Sequence, residues 1–178
     1  MRFWFRGREA RKEWFLKDPL FDAAIRDRFL SLYEEAAAGT LAYWKDDSGN
    51  CLALVVMLDQ FPRNMFRGEP RAFAADALAR EAARHAVDLG YDRSMLPVER
   101  QFLYLPFEHS ESLADQERCL ALMRKIAVFP ETADLPKWAE AHLAVIRRFG
   151  RFPHRNAALG RESTPEEIEF LKQPGSSF

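Results

Sequence analysis

The run Leu52-Ala53-Leu54-Val55-Val56-Met57-Leu58 is the longest uninterrupted apolar stretch in the chain, and it constrains the fold more than any other segment. On periodicity alone, such a run suits a buried strand or a buried helix. A strand needs a partner, and the chain holds no second strand candidate to pair with it. Asp46-Asp47-Ser48-Gly49, just ahead of it, supplies candidate helix caps. The run is therefore expected to be a buried helix in an all-α domain. Pro62 is expected to end that helix, because its ring removes the bond to the Leu58 carbonyl.

The rest of the chain gives the same reading. Asp18-Pro19 is a helix start, with Phe21, Ile25, Phe29, Leu32 and Ala36 on one face and Gly39 as a stop. Glu69-Pro70 begins an alanine-rich helix closed by Gly90, and Pro97 begins another that Pro106 must kink. Ser112-x-x-Asp115 caps a helix through Phe129, and Pro136 opens one that Gly150 ends. Thr164-Pro165-Glu166-Glu167 caps a last short helix. Short connections make this a set of stacked antiparallel helical hairpins, with residues 1–172 as a single domain and 173–178 as a loose tail. Phe3-Trp4-Phe5 and Trp14-Phe15 are expected to dock their rings on the body of the domain.

Composition removes several classes of function. With 178 residues, 48% of them hydrophobic, the chain can build a real core. A net charge of -1 gives no field for collecting nucleic acid or anionic lipid. The longest apolar run falls far short of the roughly 20 residues of a membrane span, and no secretory h-region opens the chain, so a cytoplasmic protein is expected. Cys51 and Cys119 sit in apolar runs and read as buried, reduced thiols. Glycine occurs in no phosphate-loop pattern, which disfavours nucleotide cofactors.

The residues beyond the apolar run are polar: Asp59-Gln60-Phe61-Pro62-Arg63-Asn64-Met65-Phe66-Arg67-Gly68. Near the C-terminus Phe149-Gly150-Arg151-Phe152-Pro153-His154-Arg155-Asn156 echoes them, followed by Leu159-Gly160-Arg161. Both stretches carry Phe-Pro, then an Arg-Asn pair, then Arg and Gly together. They are expected to form two walls of one polar site, with Asn64 and Asn156 facing a shared hollow. Between them lies Tyr104-Leu105-Pro106-Phe107-Glu108-His109-Ser110-Glu111.

These three segments resemble the signature segments of the bacterial family called domain of unknown function 924, and the opening aromatic pairs fit it too. The resemblance covers nearly the whole chain. It implies a fold like that of tetratricopeptide-repeat proteins without the repeat consensus, and it brings no established activity. One departure stands out: glycine is expected directly after Phe-Trp-Phe, whereas Arg6 here precedes Gly7.

Three functional readings follow from the residues. Guanidinium is a rigid fork that pairs a carboxylate or phosphate with two bonds. Asp59, Arg63, Asn64, Arg67, Arg100, Tyr104, Arg151, His154, Arg155 and Asn156 would thus line a cleft for a small anionic ligand or an acidic peptide. Alternatively, Glu108 or Glu111 with His109 would form an acid–base pair of a hydrolase or lyase, since a carboxylate raises imidazole basicity and fixes its tautomer. The third reading is an internal Arg–carboxylate network, drawing in Glu99 and Arg148, with no ligand. His109 and His154 lack metal-ligand spacing, so no metal is expected. His142 reads as a hydrogen-bonded core histidine.

Overall fold

The computed structural model describes residues 2–5 and 11–176. The apolar run is a helix, as the missing strand partner requires. The Asp47 carboxylate accepts from the Asn50 backbone N–H at 2.9 Å, and α2 (Ser48–Met65) starts at that cap. Three helices pack against it: α1 (Pro19–Ala37), α3 (Asp76–Asp88) and α4 (Pro97–Glu108). Leu52, Val55, Val56 and Leu58 are consequently all buried. Each such side chain removed from water contributes about 1.5–3 kcal/mol, which makes α2 the centre of the core.

Pro62 does not end α2. The helix continues to Met65 because the proline costs one bond only, and the Phe66 N–H still reaches the Pro62 carbonyl at 2.9 Å. Arg26 on α1 closes the end by donating to the Met65 carbonyl. Pro106 behaves likewise: α4 runs unbroken to Glu108, and the His109 N–H bonds the Leu105 carbonyl at 2.9 Å. In a final helical turn a proline removes a donor without forcing a break. Asp59, Arg63 and Asn64 therefore stand on one rigid helix and not on a loop.

Asp18 caps α1 as expected, accepting from the Leu20 N–H at 2.9 Å. The alanine-rich segment starts later than its proline suggests. Pro70–Ala72 is a 3-10 turn whose i→i+3 bonds carry the chain to Asp76, where the α-helix begins. Further on, α5 (Leu113–Ile126) packs between α4 and α6 (Leu135–Phe149). Gly150 ends α6 with a φ of 70°, a left-handed geometry that suits glycine. Helix α7 (Pro165–Leu171) opens on a full capping box: Thr164 Oγ1 accepts from the Glu167 N–H and Glu167 Oε2 accepts from the Thr164 N–H. Ser112, by contrast, makes no side-chain cap for α5.

Trp4 and Phe5 are buried, with Trp4 5.5 Å from both Phe61 and Phe102. Trp14 joins them, but its neighbour Phe15 is 61% exposed and does not dock in full. Both thiols are free and buried. Ser176 is buried and donates to the Leu171 carbonyl at 3.1 Å, so the tail folds back as far as that residue. Arg6–Gly7 and residues 177–178 lie outside the described residues. Among the described residues there is no strand, and no helix is long and apolar enough to cross a membrane.

Candidate functional site

Asp59 is the anchor of the polar cluster. It is fully buried on α2 and collects three contacts: His109 Nδ1 at 2.7 Å, Gln60 Nε2 at 2.6 Å and Arg63 Nη1 at 3.4 Å. Burial opposes its charge, but His109 and then Arg63 outweigh that cost and hold the carboxyl below the usual range. Asp59 therefore stays ionised and fixes the His109 tautomer with hydrogen on Nδ1. Burial, with Arg63 next in size, pushes the His109 pKa down. The imidazole is neutral at pH 7, and its Nε2 makes no hydrogen bond to the described protein.

The two echoing stretches meet one residue further along this cluster. Arg63 grips Asp76 with two bonds, at 2.8 and 3.0 Å, and Arg155 reaches the same carboxylate with Nη1 at 3.3 Å. The guanidinium carbon of Arg155 lies over two rings, 4.5 Å from the Phe152 centroid and 4.8 Å from that of Phe73. Only 6% of the residue is exposed, its Nε has no hydrogen-bond partner, and among the described residues its one side-chain hydrogen bond is that of Nη1 to Asp76. Desolvation, with Arg63 next, lowers its pKa to about 10, leaving it charged at neutral pH but poorly neutralised.

A cleft of about 510 Å³ opens over these groups. His109, Arg155, Asp76, Arg80, Ser110 and Glu111 supply its polar wall, and Pro70, Phe73, Ala74 and Leu159 an apolar one. Its size lies within the range of ligand pockets. Asp115 braces the rim, accepting from Ser110 Oγ at 2.8 Å and pairing with Arg80 and Arg84. Among the described residues the ion pairs fall into three groups: Arg63 and Arg155 with Asp59 and Asp76, Arg80 and Arg84 with Asp115, and Arg161 with Glu111.

The acid partner of His109 is Asp59, not Glu108 or Glu111. Glu108 points elsewhere, toward Cys119 Sγ at 3.7 Å and His142 Nδ1 at 3.6 Å. Burial pushes its carboxyl up to about 8, so it is largely neutral at pH 7. Glu111 does face the cleft, but Arg161 clasps it with two bonds of 2.8 and 2.9 Å and the Phe152 N–H adds a third. His154 packs against Phe152 beside the cleft, and burial, then Arg155, lowers its pKa to about 4. His142 donates to the Trp138 carbonyl at 2.9 Å, and burial takes it to about 3.

Several expected wall residues lie elsewhere. Asn64 and Arg67 both bond Asp22 of α1, tying α2 to α1. Asn156 bonds Ser163 and Glu167, and Arg151 clasps Glu167 at 2.6 and 2.8 Å. The two asparagines thus do not share a hollow; the arginines beside them, Arg63 and Arg155, make the meeting. Arg100 bonds the Met95 and Arg93 carbonyls, Tyr104 donates to Asp92, and Glu99 accepts from the Leu96 N–H. Arg148 pairs with exposed Glu166. The Arg–carboxylate network is accordingly real for most of these residues.

Sequence reasoning missed Asp76, Phe73 and Arg80, all from the segment read as a featureless alanine-rich helix. Asp76 is the lone acid between Pro70 and Arg80, which is a usable signal once an unpaired arginine needs a partner. Among the described residues no group of three or more His, Cys, Asp or Glu is placed to hold a metal ion.

Comparison with known proteins adds three findings. The profile of a family described as "Bacterial protein of unknown function (DUF924)" matches residues 1–175. A solved structure, that of the protein of unknown function ATU0120 from Agrobacterium tumefaciens, is similar with a TM-score of 0.84 and 41% identity, over 92% of this chain and 90% of that one. No curated protein matches the chain.

Proposed function

We propose that this chain, which belongs to the bacterial DUF924 family, binds a small anionic ligand in the cleft over Arg155 and His109. One observation carries the reading. Arg155 is a nearly enclosed guanidinium that shares a single carboxylate with Arg63 and leaves Nε and Nη2 without acceptors. A buried charge with so little compensation is costly, and a bound anion relieves that cost. The rings of Phe73 and Phe152 pack on the guanidinium, so the side chain is already held and little side-chain entropy is lost on binding. On the same reading, the successive packing of α1 to α6 is that of tetratricopeptide-like hairpins.

A thermal-shift panel of acetate, inorganic phosphate and a short acidic peptide tests this, because a ligand of the native state raises its melting temperature. A rise in the wild type that disappears in Arg155→Gln supports the reading. An equal rise in both proteins, or none with any probe, overturns it.

A second reading is favoured by the Asp59–His109 pair. A neutral imidazole fixed by a buried carboxylate, with Nε2 left over at a cleft, is the arrangement of a general base. With Arg155 placed to stabilise developing negative charge, the site suits a hydrolase or lyase. In this scheme His109 takes a proton from water or substrate, while Asp59 stays ionised and stabilises the imidazolium. Turnover of an ester panel that is lost in His109→Gln while anion binding persists supports it. Turnover unchanged in that variant counts against it.

A further inference from the structure

Resting on the anion-binding reading above, we infer that the ligand of this cleft is an apolar monocarboxylate: one carboxylate carried on an aromatic or branched aliphatic body. The lining of the cleft carries two chemistries: Arg155 and His109 are polar, and Phe73, Pro70, Ala74 and Leu159 are apolar. Leu159 is 37% exposed and Phe73 partly so, which leaves apolar surface ready to be covered.

Arg155 selects the headgroup. Its Nη1 is bonded to Asp76, its guanidinium carbon lies over the rings of Phe73 and Phe152, and its Nε is enclosed, so Nη2 is the donor left for a ligand. Nη2 donates to one oxygen of a carboxylate in a charge-assisted bond. Charge points the same way. Asp76 and Glu111 line the cleft along with Arg155, so a second negative charge on the ligand would meet two carboxylates. A dianionic phosphate monoester would meet that repulsion. The neighbouring His109 Nε2 is an acceptor in the tautomer Asp59 imposes, so it receives a protonated group of the ligand or a water.

The volume of about 510 Å³ is far more than acetate fills. Pro70, Phe73, Ala74 and Leu159 line this space, and each methylene of a ligand buried against them adds affinity.

Calorimetric titration of the full chain with acetate, phenylacetate, phenylacetamide and phenyl phosphate tests the inference, using wild type and Leu159→Ser. Phenylacetate is expected to bind at least about tenfold more tightly than acetate. Leu159→Ser is expected to shrink that gain. Phenylacetamide is expected to bind at least about tenfold more weakly than phenylacetate, because it lacks the charge. Equal affinity for acetate and phenylacetate would overturn the apolar-body inference while the anion site stands. Tighter binding of phenyl phosphate than of phenylacetate would overturn the single-charge part. Equal binding of phenylacetamide and phenylacetate, or no binding by any probe, would overturn the anion site and this inference with it.

Discussion

Glu108 sits 95% buried beside Cys119 and His142, and its folded-state pKa of about 8 lies well above an ordinary carboxyl. A raised folded pKa means that the unfolded chain ionises first, so stability is lost as pH rises from about 4.5 towards 8. The folded state keeps a proton that the unfolded state has given up. Near pH 5 the two states differ little. By pH 7.5 the gap has grown by a little over two pKa units, at 1.36 kcal/mol each, so about 3 kcal/mol of stability has gone. Glu108→Gln preserves size and hydrogen-bonding capacity but does not titrate. Its advantage over wild type should therefore be about 3 kcal/mol larger at pH 7.5 than at pH 5, or about 6–12 °C in melting temperature for a chain of this length. Melting both proteins by circular dichroism at the two pH values, and comparing the differences, cancels the histidines they share. An equal advantage at both pH values would mean that Glu108 is ionised in the fold, and that burial does not govern it.

Asp76→Ala removes the carboxylate joining Arg63 and Arg155, and should cost about 3 kcal/mol by leaving two enclosed cations short of a partner; denaturant unfolding checks this, and a loss under about 1 kcal/mol would refute the account of the cluster. His142 should make stability fall on acidification. The unfolded imidazole takes a proton below about pH 6.5 while the folded one resists to about 3, so about 2 kcal/mol is lost between pH 6.5 and 5. His142→Asn should flatten that slope in a pH series of urea melts. Thr164→Ala, which removes the hydroxyl cap of α7, should cost about 1 kcal/mol and lower the melting temperature by about 2–4 °C.

The helical class was legible because it follows from local chemistry: Asp18, Asp47 and Thr164 are caps that work as their sequence says, and an apolar run without a strand partner has one outcome. Pro62 and Pro106 misled because a proline's effect depends on how many helical bonds remain after it, a distance that sequence alone does not give. The two remote stretches were expected to wall one hollow; they meet through Asp76, which Arg63 and Arg155 share, and none of residues 58–68 lines the cleft. Which members meet was not legible, since Asn64 and Arg67 find Asp22, and Asn156 finds Glu167, through tertiary contacts. Asp59 was recognised as a polar site residue, yet its service to His109 spans fifty residues of chain and leaves no local pattern. Asp76 was invisible for the same reason: its two arginines lie 13 and 79 residues away.

The central claim, that Arg155 lacks an anion the cleft is built to receive, is tested most directly by diffraction. Crystals soaked in 4-bromophenylacetate and recorded at the bromine edge should show the carboxylate within hydrogen-bonding distance of Arg155 Nη2, with the bromine peak beside Leu159. A bromine peak elsewhere on the molecule, with the Arg155 edge satisfied by a protein carboxylate, would contradict it.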